Sequence, residues 1–146
     1  MDIMNWNNID FSEKCQILGD KGEQFVYDKL IQKYPPDKFL ILDLHFLCEM
    51  DWVIIDKEKK EIIEIYKVKT TTRDKKEFSA GNIFQLRVFE LQQKKKQRNM
   101  SFIHYSLYVL RADNNFWKDG NLNVISEEIY PLDKIKIDTT HGKWQV

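Results

Sequence analysis

Hydrophobic residues recur along this chain with two different periods, and the changes of period divide it into elements. A helical period begins near Ser12. After an expected break at Gly19 it continues from Asp20 to about Lys33, where the Tyr-Pro-Pro-Asp segment 34–37 ends it, because proline cannot continue a helix. We therefore predict an opening helix in two parts.

Three segments with the composition of β-strands follow this helix. Residues 39–47 are rich in large apolar side chains, and residues 50–56 form a second apolar run. Residues 61–72 alternate and contain many β-branched side chains. The short charged turn 57–60 predicts that the second and third strands form an antiparallel hairpin.

A second helix and a fourth strand are predicted after a polar loop. Apolar residues at helical spacing predict a helix over 83–98, and the aromatic-rich segment 101–111 predicts a strand. The helix would be a right-handed crossover if the third and fourth strands are parallel. The expected class is α/β or α+β, a mixed sheet of about four to five strands flanked by helices.

The length of 146 residues favours one domain over 1–146, with a core at about 20–112 and a C-terminal embellishment at 113–146. No uncharged apolar run approaches the roughly 20 residues of a membrane-spanning helix, and the N-terminal segment lacks the pattern of a secretory signal. The two cysteines, Cys15 and Cys48, are too few for a disulfide framework, so we expect a soluble protein of the reducing cytoplasm.

Positive charge is concentrated in one part of the chain, although Lys plus Arg and Asp plus Glu both total 23. Clustered cations are typical of phosphate contacts, and this cluster is the candidate nucleic-acid-binding surface. The alternative is a solvated helix end, where cations also stabilise the helix dipole. Its members are Arg87, Lys94, Lys95, Lys96 and Arg98.

Three polar residues occupy positions where an apolar residue would be ordinary. Glu23 lies on the helix face that carries Val26 and Leu30, Asp51 begins the second strand, and Lys69 lies near the end of the third. Carboxylates hold Mg²⁺ well, and a nearby cation assists the attack of water on a phosphodiester. Each residue also has an ordinary structural explanation when it is considered alone. Glu23 could complete a capping box with Asp20, Asp51 could be a solvated loop residue, and Lys69 could be a strand-edge lysine.

The order of these motifs resembles the PD-(D/E)XK nuclease superfamily. The resemblance rests on Gly22-Glu23, the Glu-x-Asp strand of Asp51, the Val-Lys-Thr-Thr segment 68–71, and a helix carrying Gln85 before a Tyr-x-Leu-Tyr-Val strand. It covers residues 20–112 and implies a restriction-endonuclease-like fold, and the chain is most similar to small domains of the NO VEIN C-terminal type. Its individual motifs are short, so their order and spacing carry the resemblance.

The resemblance implies a role for each matched residue. Asp51 would be the metal-bridging carboxylate, Lys69 the lysine that orients or activates water, Glu23 an auxiliary ligand of metal or water, and Gln85 a supporting side chain. The implied cofactor is Mg²⁺, which Mn²⁺ can replace. The implied function is a metal-dependent endonuclease acting on DNA more than on RNA, in restriction, phage defence or processing of mobile DNA. Cutting both strands of a duplex usually takes two sites, so we expect a homodimer.

One position departs from the family pattern. Lys67 stands where a carboxylate is expected two residues before the lysine, and it shares a strand face with Lys69 while Glu64 and Tyr66 point to the other face. A bulge between Glu64 and Lys69 would turn Glu64 into the site as a metal ligand. A second register would instead use Glu64 as the carboxylate and place Tyr66 where lysine belongs.

Two further explanations of Lys67 stay open. The missing carboxylate can come from elsewhere, with Glu77 and Glu90 as the candidates. Otherwise the site is inactive, because a second ammonium repels a divalent cation. The alternative function is then a catalytically inactive nuclease-fold module that binds nucleic acid or a protein partner. A pure interaction domain without a nuclease-type site is the third hypothesis.

Overall fold

The computed structural model describes residues 3–44, 50–74, 78–79, 87, 90, 103–138 and 143–145. Within these ranges the chain opens with a 3-10 helix, Ile3–Asn8, and continues into one long helix, α1, Phe11–Lys33. The chain then enters a β-sheet that contains most of the remaining regular structure.

The helix α1 is continuous, so the predicted break at Gly19 is wrong. A glycine inside a helix costs about 1 kcal/mol relative to alanine, and burial of apolar side chains on both sides of Gly19 offsets that cost. Leu18 precedes it, and Val26 and Leu30 follow it, all buried. The helix ends at Tyr34, before the two prolines, as predicted.

The capping box proposed for Asp20 and Glu23 is also wrong, because both residues lie inside α1. The N-cap is Asp10, whose side chain accepts a hydrogen bond of 2.8 Å from the backbone N–H of Glu13. Glu23 is therefore not needed at the helix end, and its position inside α1 needs another explanation.

Five strands form a mixed sheet, which confirms the predicted class. They are β1, Phe39–Leu44; β2, Met50–Asp56; β3, Glu61–Thr71; β5, His104–Ala112; and β6, Val124–Pro131. A separate three-stranded sheet contains β4, Phe78–Ser79, β7, Lys136–Asp138, and β8, Lys143–Gln145, with β8 between the other two.

The order in the main sheet is β1-β2-β3-β5-β6. The hairpin of β2 and β3 is antiparallel, as predicted, and β3 runs parallel to β5. A parallel pair needs a crossover connection, which agrees with the helix predicted between them. Of that helix the structure describes Arg87 and Glu90, and both are helical.

The strand β3 separates two apolar layers, because its side chains alternate between the two faces of the sheet. Tyr66 and Val68 belong to the layer under α1, together with Val26, Leu30, Tyr34, Ile54, Tyr108 and Leu110. Ile65 belongs to the opposite layer, with Met50, Val53, Tyr105, Leu107, Val109, Leu132 and Ile135. Both layers are well buried, so the position of α1 over β3 is fixed by packing.

The segment after residue 112 does more than embellish the surface. The strand β6 pairs antiparallel with β5 and forms one edge of the main sheet. Before it, a short helix, α2, Phe116–Asp119, buries Phe116 against Trp6, with ring centroids 5.2 Å apart. Among the described residues, no helix is long and apolar enough to cross a membrane.

Candidate functional site

Asp51 and Lys67 meet between β2 and β3. Trp52 pairs with Tyr66 in the antiparallel ladder, so the next residue on each strand brings Asp51 opposite Lys67. Lys67 Nζ lies 3.7 Å from Asp51 Oδ2, and the two side chains are 10% and 2% exposed. The interpretation of Asp51 as a solvated loop carboxylate is therefore wrong.

The Asp51 carboxylate also has a backbone donor. Its Oδ2 accepts a buried hydrogen bond of 2.6 Å from the N–H of Val68. Because a buried carboxylate needs both charge compensation and hydrogen bonds, Lys67 and the Val68 N–H both stabilise Asp51 at this depth through Oδ2.

Glu23 approaches the same place from α1. Its backbone oxygen accepts a hydrogen bond of 3.1 Å from Trp52 Nε1, and its carboxyl group hydrogen-bonds to Asp51. Burial raises the pKa of Glu23 to about 8, and the hydrogen bond and negative charge of Asp51 add to this increase. Glu23 is then mostly protonated at neutral pH and can donate a hydrogen bond to Asp51.

Two further carboxylates act on Glu23 through their charge. Asp20 lies one helical turn earlier on α1, and Asp43 lies on β1. Sequence reasoning did not assign a role to Asp43. Its signal is an acidic residue within the otherwise apolar run Phe39–Leu44, but its proximity to Glu23 depends on how α1 crosses the sheet.

Lys69 lies beside this cluster and is half-buried. It pairs with Val109 of β5, and β3 lies inside the sheet, so it is not a strand-edge lysine. Alternation along β3 places Lys69 on the same face as Lys67. The structure therefore brings Glu23, Asp51 and Lys67 into one cluster. Within the described residues, the side chain of Lys69 forms no hydrogen bond or ion pair.

Glu64 faces the other side of β3 and is held by two phenols. The hydroxyls of Tyr34 and Tyr66 both donate hydrogen bonds to its Oε2. Glu64 pairs with Ile54 of β2, three positions from Asp51. The second register proposed for this strand, with Glu64 and Tyr66 in the site, does not fit this pairing.

The strand does contain a bulge, but at a different position from the proposed one. Ile54 pairs with Glu64, whereas Ile55 pairs with Ile62, so the extra residue is Ile63. From Glu64 to Thr71 the pairing with β5 continues without a shift. The bulge expected between Glu64 and Lys69 is therefore absent, and Glu64 is not turned toward Asp51.

Glu90 lies near Glu64 instead of near Asp51. Both residues line a cavity of about 400 Å³, whose wall also contains His104, Tyr105 and Asp133. Glu90 forms an ion pair of 3.4 Å with Arg87, and the cavity that it lines includes neither Asp51 nor Lys67.

Several predicted site residues lie outside the described residues. Arg87, the described member of the basic segment, is partly exposed, and it also donates a hydrogen bond of 3.2 Å to the carbonyl oxygen of Leu132. Its charge is thus partly used within the protein. The predicted residues on which the structure gives no information are Gln85, Glu77, Lys94, Lys95, Lys96 and Arg98.

The described residues do not fit a Mg²⁺ ion in this arrangement. Mg²⁺ demands near-ideal octahedral oxygen coordination, whereas Asp51 already faces the ammonium of Lys67, which would repel a divalent cation. Within the described ranges, no group of three or more His, Cys, Asp or Glu residues is arranged to hold a metal. The cluster is best described as the buried ion pair of Asp51 and Lys67 beside the carboxyl group of Glu23, whose pKa is raised.

Searches against protein-family models, curated proteins and solved structures found no match for this chain. Its function must therefore be argued from the geometry of the cluster and from the sequence resemblance.

Proposed function

We propose that this chain is a catalytically inactive nuclease-type domain that binds nucleic acid, DNA in preference to RNA. The observation that carries the proposal is the distance of 3.7 Å between Lys67 Nζ and Asp51 Oδ2 in a place where both side chains are nearly buried. In this arrangement the lysine supplies the positive charge that a metal ion would supply in an active nuclease of this type.

The charge balance of the cluster supports this proposal. Opposite charges about 4 Å apart attract by roughly 4 kcal/mol at the effective dielectric of a partly screened site. A divalent cation that binds Asp51 would have to compete with the attraction between Asp51 and Lys67, and Lys67 would also repel it. Metal binding therefore has to displace a lysine that is itself 10% exposed and has little room to move.

The binding of nucleic acid is supported by the nuclease-type order of the motifs and by the cations that accompany them. Lys69 is half-buried beside the Asp51 cluster, and the basic segment 94–98 follows later in the chain. Phosphate contacts by lysine and arginine release counterions, so such binding weakens steeply as salt rises. We expect this domain to act in the cytoplasm.

The Lys67→Glu variant tests why the domain would be inactive. We expect the unmodified protein to bind Mn²⁺ weakly and to leave plasmid DNA intact with Mg²⁺ or Mn²⁺. Lys67→Glu should gain Mn²⁺ binding, measured by calorimetry, and metal-dependent nicking of the plasmid. Lys67→Met is the matched control, because it removes the ammonium without adding a ligand and should not restore cutting.

Two outcomes would overturn this explanation. The first is nicking by the unmodified protein that Asp51→Asn abolishes, which would make Lys67 compatible with metal binding. The second is an inert Lys67→Glu protein that folds normally and still binds no Mn²⁺.

A salt series tests the binding itself. Fluorescence anisotropy of a labelled DNA duplex, repeated with an RNA duplex of the same sequence, should show tighter binding to DNA and a loss of affinity of tenfold or more between about 50 and 200 mM salt. Absence of binding at the lower salt would remove nucleic acid as the partner and leave a protein-interaction domain.

An active Mg²⁺-dependent endonuclease is the second candidate, and the convergence of Glu23 and Asp51 favours it. This candidate needs Lys67 to leave Asp51 when substrate binds, and it fits roles in restriction, phage defence or processing of mobile DNA. It would act as a homodimer if it cuts both strands. Plasmid nicking by the unmodified protein would select it over the inactive domain.

A further inference from the structure

Gly22 lies at the closest approach between α1 and β3. A Cβ atom built on Gly22 would lie 1.8 Å from Thr70 Oγ1, 2.9 Å from Thr70 Cβ and 3.1 Å from Thr70 Cγ2. An ordinary contact between carbon atoms is about 3.5–4.0 Å. The backbone of α1 at this position therefore lies against the Thr70 side chain with no space for even a methyl group.

A rotation of Thr70 does not make room for that methyl group. Turning χ1 moves Oγ1 and Cγ2, but Cβ stays where the backbone of β3 holds it, and 2.9 Å between two Cβ atoms is shorter than real structures tolerate. The register of β3 with β5 is continuous across Thr70, which pairs with Leu110. An alanine at position 22 would consequently push α1 away from β3.

The residue next to Gly22 is Glu23, which makes two contacts with β2. Its backbone oxygen accepts the hydrogen bond of 3.1 Å from Trp52 Nε1, and its carboxyl group bonds to Asp51. Hydrogen bonds weaken steeply outside about 2.7–3.2 Å. A local shift of α1 by 1 Å or more would therefore break the hydrogen bond from Trp52 and move the Glu23 carboxyl group relative to Asp51, even though the rest of the helix stayed folded.

We propose that Gly22 is a positioning residue: its missing side chain sets the distance between α1 and β3, and this distance brings Glu23 to Asp51. The inference rests on the proposed site of Glu23, Asp51 and Lys67. It goes beyond that site by assigning the helix-to-sheet contact of Gly22 and Thr70 as the feature that assembles it.

Gly19 provides a matched control on the same helix. A Cβ at Gly19 meets no atom within 4 Å, so Gly19→Ala changes helix propensity without a steric effect. Both glycines gain the same intrinsic preference when replaced by alanine, and a difference between Gly22→Ala and Gly19→Ala therefore reports the contact with Thr70.

The indole N–H of Trp52 is a direct reporter, because its acceptor is the backbone oxygen of Glu23. In ¹H–¹⁵N spectra we expect Gly22→Ala to shift the Trp52 indole resonance and to speed its exchange with solvent by about tenfold or more, as loss of this hydrogen bond implies. Trp6 is the internal control, since its Nε1 donates to Trp117 O at 3.1 Å. Assignment follows from Trp52→Phe.

Rescue at Thr70 separates positioning from general instability. In Gly22→Ala/Thr70→Gly the obstructing side chain is gone, and we expect the Trp52 resonance and exchange to return to those of Thr70→Gly alone. If Gly22→Ala does not fold, Gly22→Ala/Thr70→Ala is compared with Thr70→Ala instead. Removing Thr70 Oγ1 and Cγ2 leaves Thr70 Cβ as the closest atom of that side chain, at 2.9 Å in place of 1.8 Å.

The proposal is overturned if Gly22→Ala leaves the Trp52 indole unchanged, or if it accelerates the exchange of Trp52 and Trp6 equally. These measurements use neither metal nor nucleic acid. Their failure is thus distinguishable from failure of the proposed function, which the plasmid and binding experiments decide.

Discussion

The strand β3 carries one cluster around Glu64 and another around Asp51, and the two clusters stabilise their carboxylates in different ways. Near its beginning, Glu64 is held by the hydroxyls of Tyr34 and Tyr66. Farther along, Asp51 meets the ammonium of Lys67 and the carboxyl group of Glu23. The first arrangement uses neutral donors, and the second uses an ammonium group and a second carboxyl group.

This difference separates a structural cluster from a candidate site. Burial and the neighbouring Glu64 raise the pKa of both Tyr34 and Tyr66, so these phenols stay neutral donors at physiological pH. At the other end, the pKa of Glu23 is raised to about 8, so its charge changes close to neutral pH. Only the cluster of Asp51 combines a buried ion pair with a carboxyl group that titrates in this range, among the residues described.

The largest effect is expected from Asp51→Asn, which removes the negative charge that lies 3.7 Å from the buried ammonium of Lys67. Removing one member of a buried ion pair typically costs about 3–5 kcal/mol of unfolding free energy. Urea denaturation of Asp51→Asn and of Asp51→Asn/Lys67→Met should show that the second change recovers most of the loss. Equal stability of the two variants would mean that the buried charge of Lys67 does not need Asp51 for compensation.

The next effect is expected at the other end of β3. Tyr66→Phe removes a buried donor to Glu64, and hydrogen bonds to charged groups contribute about 1.5–3 kcal/mol. In a Glu64→Gln background the same change should cost less, because the acceptor is no longer charged. A double-mutant cycle by urea denaturation measures this coupling, and additive costs would contradict the assignment of Tyr66 as a partner of Glu64.

The dependence of stability on pH should come from the Glu23 end. The pKa of Glu23 rises from 4.5 when unfolded to about 8 when folded, so the folded state binds more protons between these values. Its contribution to stability is therefore present at low pH and is lost as pH rises through this window.

Glu23→Gln should remove this dependence, since a glutamine side chain keeps a donor for Asp51 without titrating. We expect the variant to match the unmodified protein near pH 5 and to exceed it near pH 9 by about 1–2 kcal/mol, a value reduced because solvent screens a partly exposed group. Thermal denaturation at both pH values provides the measurement. Parallel pH profiles for the two proteins would contradict the raised pKa.

The smallest effect is expected at Asp10, which offers an exposed version of the Asp51 contact. Both carboxylates accept a hydrogen bond from a backbone N–H, at 2.8 Å for Asp10 and 2.6 Å for Asp51. Asp10→Ala should cost about 1 kcal/mol, the usual value of an N-cap. Asp20→Ala, at an exposed position inside α1, is the control and should change stability by less than about 0.5 kcal/mol. An equal loss in both variants would argue against Asp10 as the cap.

Local patterns were sufficient for most elements of the fold. The proline pair after Tyr34, the charged turn 57–60 and the alternation within β3 predicted a helix end and a hairpin that the structure contains. The role of Gly19 was misjudged, because a propensity penalty was weighed without the packing that offsets it. The sequence pattern favoured a C-terminal embellishment for the segment of β6, whereas β6 pairs with β5 as an edge strand of the main sheet. This pairing was not evident from the local pattern of the segment.

By itself, the sequence determined that an acid and a lysine lie on adjacent strands beside a helix that carries Glu23. The tertiary structure decided which lysine meets that acid. The pairing near the turn joins Asp56 to Glu61, and continued without a shift it would place Asp51 opposite Tyr66. The bulge at Ile63 moves the register by one residue, and since side chains alternate along a strand, this shift brings Lys67 to Asp51.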